Sequence, residues 1–339
     1  MKCRIIWLLL CVLAETAQAQ VMQDATKQIR IYEDDDYFNL WGRGTDRAYS
    51  NGLAIGYCYM KKKPSVFLDK WILREAGPNA INVFSWQVMQ VTMTPNDISA
   101  TTYQPDDFYY AGGLFASHGL TSYNPDRKHS FHTEFLFGVM GPWALSKEGQ
   151  TLVHNVISYQ RPKGWSNQLP NAPLFNYNFT YEAMLWNPLK SFEVIGGGTA
   201  RLGLMVNSVT ASLCLRYGLI NPYFGHQDLA TATRRKFQLY IMARPQLNFV
   251  AYNALLQGGL FSSTDSQFAA QKAEQRTHMR MLVAGVDYGV GIVIKRTTIR
   301  YTQRSSTEWM AGTHKHSVGN FTFLIPISRQ RTVHRTPAL

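Results

Sequence analysis

From Phe237 to Ala251 apolar side chains recur at every second position: Phe237, Leu239, Ile241, Ala243, Leu247, Phe249 and Ala251. The opposite row is Gln238, Tyr240, Met242, Arg244, Gln246 and Asn248. A period of two kept over about 15 residues predicts a long strand with one greasy and one wet face, as in a tilted barrel wall with lipid outside and polar side chains within. The same alternation runs through Val209, Ala211, Leu213, Leu215 and Tyr217, and through Leu282, Ala284, Val286, Tyr288, Val290 and Ile292. Phe131, Phe135 and Phe137, and Phe321, Phe323 and Ile325, add two more such rows.

Twelve strands are expected, over 27–37, 50–62, 82–93, 107–121, 130–140, 173–186, 191–205, 208–220, 236–252, 276–293, 297–306 and 316–328. The predicted fold class is all-β: a twelve-stranded antiparallel transmembrane β-barrel, whose closure leaves no exposed strand edge. An even count puts both termini on the periplasmic side, so the loop after each odd-numbered strand is extracellular. One segment breaks the period. Trp143 to Ser158 reads as a short helix in an extracellular loop, with Leu145, Leu152, Val153, Val156 and Ile157 on one side and Gln150, His154 and Ser158 on the other. Two features fit the barrel less well. Pro245 falls inside the clearest strand, and the chain ends Thr336-Pro337-Ala338-Leu339 rather than on an aromatic strand.

Composition adds direction to this pattern. Lys2 and Arg4, the apolar run Ile5 to Leu13 and Ala17-Gln18-Ala19 predict a signal peptide over 1–19, with 20–339 as one outer-membrane barrel domain. No segment offers the 18 to 20 or so consecutive apolar residues of a helical span. The formal charge of +12 becomes +11 once Lys2, Arg4 and Glu15 are removed, which suits a phosphorylated lipid surface. The basic residues are dispersed and the chain is exported, so nucleic acid is not the expected partner. Cys58 and Cys214 are then the remaining cysteines, too few for a disulfide framework, and are expected as small lumen residues.

The strand order gathers chemistry at one rim. Glu33-Asp34-Asp35-Asp36, Tyr49-Ser50-Asn51-Gly52, Thr94-Pro95, Tyr110-Ala111-Gly112 and the helix bearing His154 all fall at the extracellular end. Carboxylates and a hydroxyl offer oxygen ligands for a hard cation such as Ca2+, and a histidine beside them offers a base near neutral pH. Together they outline an ester hydrolase.

At these residues the chain resembles the outer-membrane lipid A 3'-O-deacylase (LpxR) family. The resemblance lies in Glu33-Asp34-Asp35, Thr45-Asp46, Tyr49-Ser50-Asn51-Gly52, Gln90 with Thr94-Pro95, and Tyr110-Ala111-Gly112. It continues through Gly138-Val139-Met140-Gly141-Pro142, Gln150 with His154, and Gly164-Trp165-Ser166-Asn167-Gln168-Leu169, in order over roughly residues 30 to 175. It implies a Ca2+-dependent hydrolase that removes the 3'-linked acyl or acyloxyacyl group of lipid A in the outer leaflet, with water as nucleophile. By motif, it implies His154 as general base, Asp35 as the essential acidic residue, and Asp34, Asp35 and Ser50 as metal ligands. Gln150, Gln160, Tyr110 and Trp165 are expected to line the site. Partners implied are lipopolysaccharide and outer-membrane lipids, with the protein a monomer. Asp34 stands where better-characterised members have Asn, Ser50 replaces Thr, Gln160 takes the place of a Glu, and Phe108-Tyr109 replace Arg-Pro. These departures leave another acyl ester open as the substrate. Two other readings stay beside this one: a serine-type outer-membrane phospholipase using Ser50 and His154, and a non-catalytic structural or pore-forming barrel.

Overall fold

The computed structural model describes residues 27–40, 48–61, 67–105, 107–225, 235–261, 278–295 and 297–327. The expected signal peptide, the Thr45-Asp46 pair and the last twelve residues lie outside the described residues. The strands are β1 (Lys27–Asp35), β2 (Ala48–Met60), β3 (Ile81–Thr94), β4 (Ala111–Asn124), β5 (His129–Met140) and β6 (Ala172–Leu189). They continue as β7 (Phe192–Gly203), β8 (Val206–Leu219), β9 (Phe237–Asn253), β10 (Leu282–Ile294), β11 (Thr297–Ser306) and β12 (His316–Pro326). Each pairs antiparallel with its sequence neighbours, and β1 pairs β12 to close the barrel. Strand number and order match the expectation, and β11 keeps its expected bounds.

Alternation sets the two faces of the wall. Along β9, Gln238, Tyr240, Met242 and Arg244 are buried, whereas Phe237, Leu239, Ile241 and Pro245 are exposed. Ile55, Val88, Phe137, Phe175, Val209, Leu247 and Leu282 extend that apolar exterior around the barrel. Pro245 sits on it, and opposite Pro245 the β8–β9 pairing skips from Ser212↔Gln246 to Leu215↔Ala243. The missing N–H thus interrupts the ladder locally without ending the strand.

The lower lumen is filled. Tyr223 and Phe224, from the loop after β8, are buried there with Cys58, Cys214, Tyr123 and Ile195. Arg244 donates to Glu182 at 2.6 Å and Arg216 to Glu193 at 2.6 Å. Tyr223 closes the group, its hydroxyl donating to Glu182 and its N–H to Glu193. Both cysteines are free thiols in this cluster, as expected of small lumen residues.

The short helix α1 (Phe67–Ile72), between β2 and β3, has no counterpart in the alternation pattern. The segment around it lies against the outside of the wall. Leu73 covers Phe84 and Leu120, Asp69 meets His118 at 3.1 Å, and the backbone of Arg74 and Ala76 is held by Thr133 and Ser122. This strap explains why His118, Thr133 and Ser122 can stand on a face that is elsewhere apolar: their polar atoms are satisfied by the strap and not by lipid.

Candidate functional site

The expected loop helix is present as α2 (Ser146–Ile157), preceded by a 3-10 turn over Pro142–Ala144. It packs on the outside of β3 and β4. Gly112 permits this approach, because a Cβ there would strike Ser146 and Ala144. Ser146 Oγ donates to the Val91 carbonyl at 3.1 Å, and Gln90 Nε2 to the Ala144 carbonyl at 2.7 Å. The returning chain is tied down by Lys163 N–H to Ile98 and Leu169 N–H to Tyr110. Within the β3–β4 loop that receives it, hydrogen bonds from Ser99 to Asp97 hold that exposed carboxyl below the ordinary range.

The helix is turned opposite to a helix on a soluble core. Its buried residues are Ser146, Gln150 and His154, at intervals of four. Leu152, Val153, Val156 and Ile157 are exposed, as are Trp143 and Leu145 just before it. A polar face lies against the wall, and an apolar face continues the barrel's exterior belt.

His154 is 4% exposed. The helix ends at Ser158 in the left-handed region, φ 56°, and the chain doubles back. The Gln160 carbonyl then lies 2.5 Å from His154 Nδ1, and the Tyr159 ring stands edge-on to the imidazole at 5.2 Å. A carbonyl only accepts, so Nδ1 carries a hydrogen, and in the neutral imidazole the lone pair is on Nε2. One turn away, Trp165 Nε1 donates to Gln150 Oε1 at 3.0 Å. An indole only donates, which fixes the amide orientation and leaves Gln150 Nε2 as a buried donor with no protein partner. Trp165 itself is held by the Tyr110 ring, at 4.9 Å between centroids.

The remaining expected residues lie along the neighbouring strand ends. A bulge between Tyr49 and Asn51 inserts Ser50 into β2. Ser50 Oγ shares a 2.5 Å hydrogen bond with Thr94 Oγ1 on β3. Asn51 Nδ2 donates to Asp35 Oδ2 at 3.1 Å, while Asp35 Oδ1 caps the following turn by accepting from Tyr37 N–H. Asp34 departs from expectation. Successive strand side chains point to opposite faces, and its carboxylate is buried in the lumen, accepting from the Tyr32 hydroxyl at 2.7 Å and from Arg304 at 3.3 Å. The wall separates the Asp34 and Asp35 carboxylates, so Asp34 does not join the set grouped for a metal. Ser50 does not meet His154 either; its hydroxyl bonds Thr94, which removes the nucleophile–base contact that a serine-type mechanism needs.

Asp35, Asn51, Ser50 and Thr94 offer only oxygen donors to a cation, a set that fits a hard ion bound with water ligands. No cluster of three or more His, Cys, Asp or Glu occurs among the described residues. Asn51 and Thr94 were not among the expected site residues. Both sit in the quoted motifs, but the bulge and the hydroxyl pair that give them a place leave no mark in sequence. Gln160 contributes its backbone carbonyl to His154, while its side chain is exposed.

Comparison with known proteins bears on the family and the fold. The family described as outer membrane protein LpxR matches residues 5–326. Among solved structures, LpxR from Salmonella typhimurium is similar in fold, with a TM-score of 0.67 at 15% identity, covering 88% of this chain and 100% of that one. The β domain of the Bordetella autotransporter BrkA aligns with a TM-score of 0.44 at 10% identity, covering 90% of this chain and 100% of that one. No curated protein sequence matches significantly.

Proposed function

The chain belongs to the LpxR family of outer-membrane lipid A deacylases, and from that premise and the rim geometry we propose that it hydrolyses the 3'-linked acyl or acyloxyacyl ester of lipid A. The observation that carries this reading is the locked imidazole. With Nδ1–H committed to the Gln160 carbonyl, Nε2 is the nitrogen left to act as base, on a buried polar helix face whose reverse side is apolar. Nε2 takes a proton from water as the water oxygen bonds to the acyl carbon. The imidazolium then returns that proton to the departing sugar oxygen, giving a fatty acid and a free hydroxyl.

Gln150 Nε2, aimed by Trp165, is the chain's own donor to the oxyanion formed on the way. Asp35, with the oxygens of Asn51, Ser50 and Thr94, is the proposed seat of Ca2+, which when bound would polarise the ester carbonyl. Trp143, Leu152, Val156 and Ile157 face outward, so acyl chains reach the site from the extracellular leaflet beside α2 and not through the lumen. One barrel carries every residue invoked, so a monomer suffices. The plugged lower lumen speaks against an open pore.

Purified protein in mixed micelles with lipid A and Ca2+ is expected to release fatty acid. His154→Ala lowers that release by about 10²- to 10⁴-fold, the usual worth of a general base, with the barrel still folded. Release unchanged by this substitution sinks the mechanism.

A further inference from the structure

The lumen above the plug holds a second polar system that the proposed hydrolysis does not use. A cavity of about 270 Å³ lies beneath the rim that carries α2. Below it lies a smaller chamber of about 130 Å³, and the two share Met89, Arg201, Met205 and Val206 in their linings. Deeper still the lumen is stopped by the Glu182–Arg244 pair, Tyr223 and Phe224. The result is a well closed at its lower end by this plug.

Its lower chamber is positively charged. Arg30 and Arg201 both line it, and among the described residues neither guanidinium lies within ion-pair distance of a carboxylate. Arg216, Arg244 and Arg304, on the same inner face of the wall, each have such a partner. Arg201 has only hydroxyls, Thr210 Oγ1 at 3.1 Å and Ser208 Oγ at 3.5 Å. Arg30 makes one long contact, 3.4 Å to Gln87, and its buried Nε has no partner. Glu134 is the acid in the lining and accepts from Asn178, so two fixed positive charges face one negative.

Arg30 and Arg201 are half-buried; a guanidinium stays charged at any relevant pH, and withdrawing it even partly from water without a counter-charge is costly. Planar N–H forks beside amides and hydroxyls match the oxygens of a tetrahedral or carboxylate anion. We propose that this chamber binds a small oxyanion, phosphate or a phosphate-bearing headgroup fragment, between Arg30 and Arg201, on the lumen side of the wall and apart from the His154 site.

Calorimetric titration of the full barrel in an uncharged detergent tests this, with inorganic phosphate in one arm and glucosamine 6-phosphate in the other. Saturable phosphate binding is expected, weakened about tenfold or more in Arg201→Gln and in Arg30→Gln by loss of a charge-assisted hydrogen bond. Binding of the sugar phosphate alone, lost in the same variants, assigns the anion to a headgroup source. Absence of saturable binding in both arms overturns the proposal, as does affinity unchanged in both variants. If the glutamine variants do not fold, Arg201→Lys keeps the charge and removes the fork. It is expected to bind phosphate several-fold more weakly, and undiminished affinity there also overturns the site.

Discussion

Asp34 and Asp35 are adjacent in the chain, yet the wall of the barrel stands between their carboxylates. Asp34 belongs to the lumen, where carboxylates meet Arg304, Arg244 and Arg216 within 3.3 Å and the network joins distant strands. Asp35 belongs to the outer wall. There the contacts are local, Asn51 with Asp35 and Ser50 with Thr94 at the strand ends and His154 with Gln160 beyond α2, and the Gln150 amide keeps a buried donor with no protein partner. The difference is one of purpose as well as position. The Glu182–Arg244, Glu193–Arg216 and Asp34–Arg304 pairs hold strands in register, whereas the Gln150 donor left without a protein partner against the outer wall costs stability.

The largest effect that can break this contrast is on stability. Glu182→Leu leaves Arg244 buried without its partner and removes the acceptor of the Tyr223 hydroxyl. Denaturant unfolding in lipid or detergent is expected to show a loss of about 3–5 kcal/mol. Hydrolysis by the fraction that remains folded is expected to be unchanged. A stability loss no larger than that of an exposed surface substitution contradicts the account of the lumen as the structural side.

Substitution on the outer wall should do the converse. Gln150→Leu keeps the volume of the side chain and removes the unpartnered donor. Fatty-acid release is expected to fall by about 10²- to 10³-fold, the range for an oxyanion donor, with the unfolding midpoint unchanged or slightly raised. Equal loss in Trp165→Phe, which frees the amide to rotate, separates positioning from contact. A fall in stability without a fall in rate moves Gln150 to the structural side.

The two sides were not equally legible. Alternation with period two is imposed by lipid on one face and a polar lumen on the other, so the strands, their order and the lumen rows of β9 could be read directly. Strand parity alone also separates Asp34 from Asp35; grouping them by motif set aside the very rule that had located the strand. The strap around α1 was hidden for a related reason. It is short, and the wall residues beneath it, His118, Thr133 and Ser122, are polar where the pattern calls for apolar ones. Position in the loop brought His154 and Gln150 to the correct rim. What they touch depends on a left-handed Ser158 and on a bulge in β2, which no periodicity announces.

The smallest expected effect concerns Gln160, where the family pattern has an acid. A carboxylate at this position could orient the histidine or add a metal ligand, and an amide could do neither as well. The contact made here is with the backbone: the Gln160 carbonyl accepts from His154 Nδ1, while the residue is otherwise exposed. Gln160→Ala retains that carbonyl, so hydrolysis is expected to stay within about threefold of the parent, less than 1 kcal/mol in the barrier. Gln160→Pro retains the carbonyl too but restrains the turn that delivers it, and is expected to cost more. Measuring both rates beside the pH dependence of release distinguishes the two roles. A tenfold loss in Gln160→Ala with an unmoved profile assigns the side chain to substrate or metal, whereas equal rates leave the orientation of His154 to the backbone turn after α2.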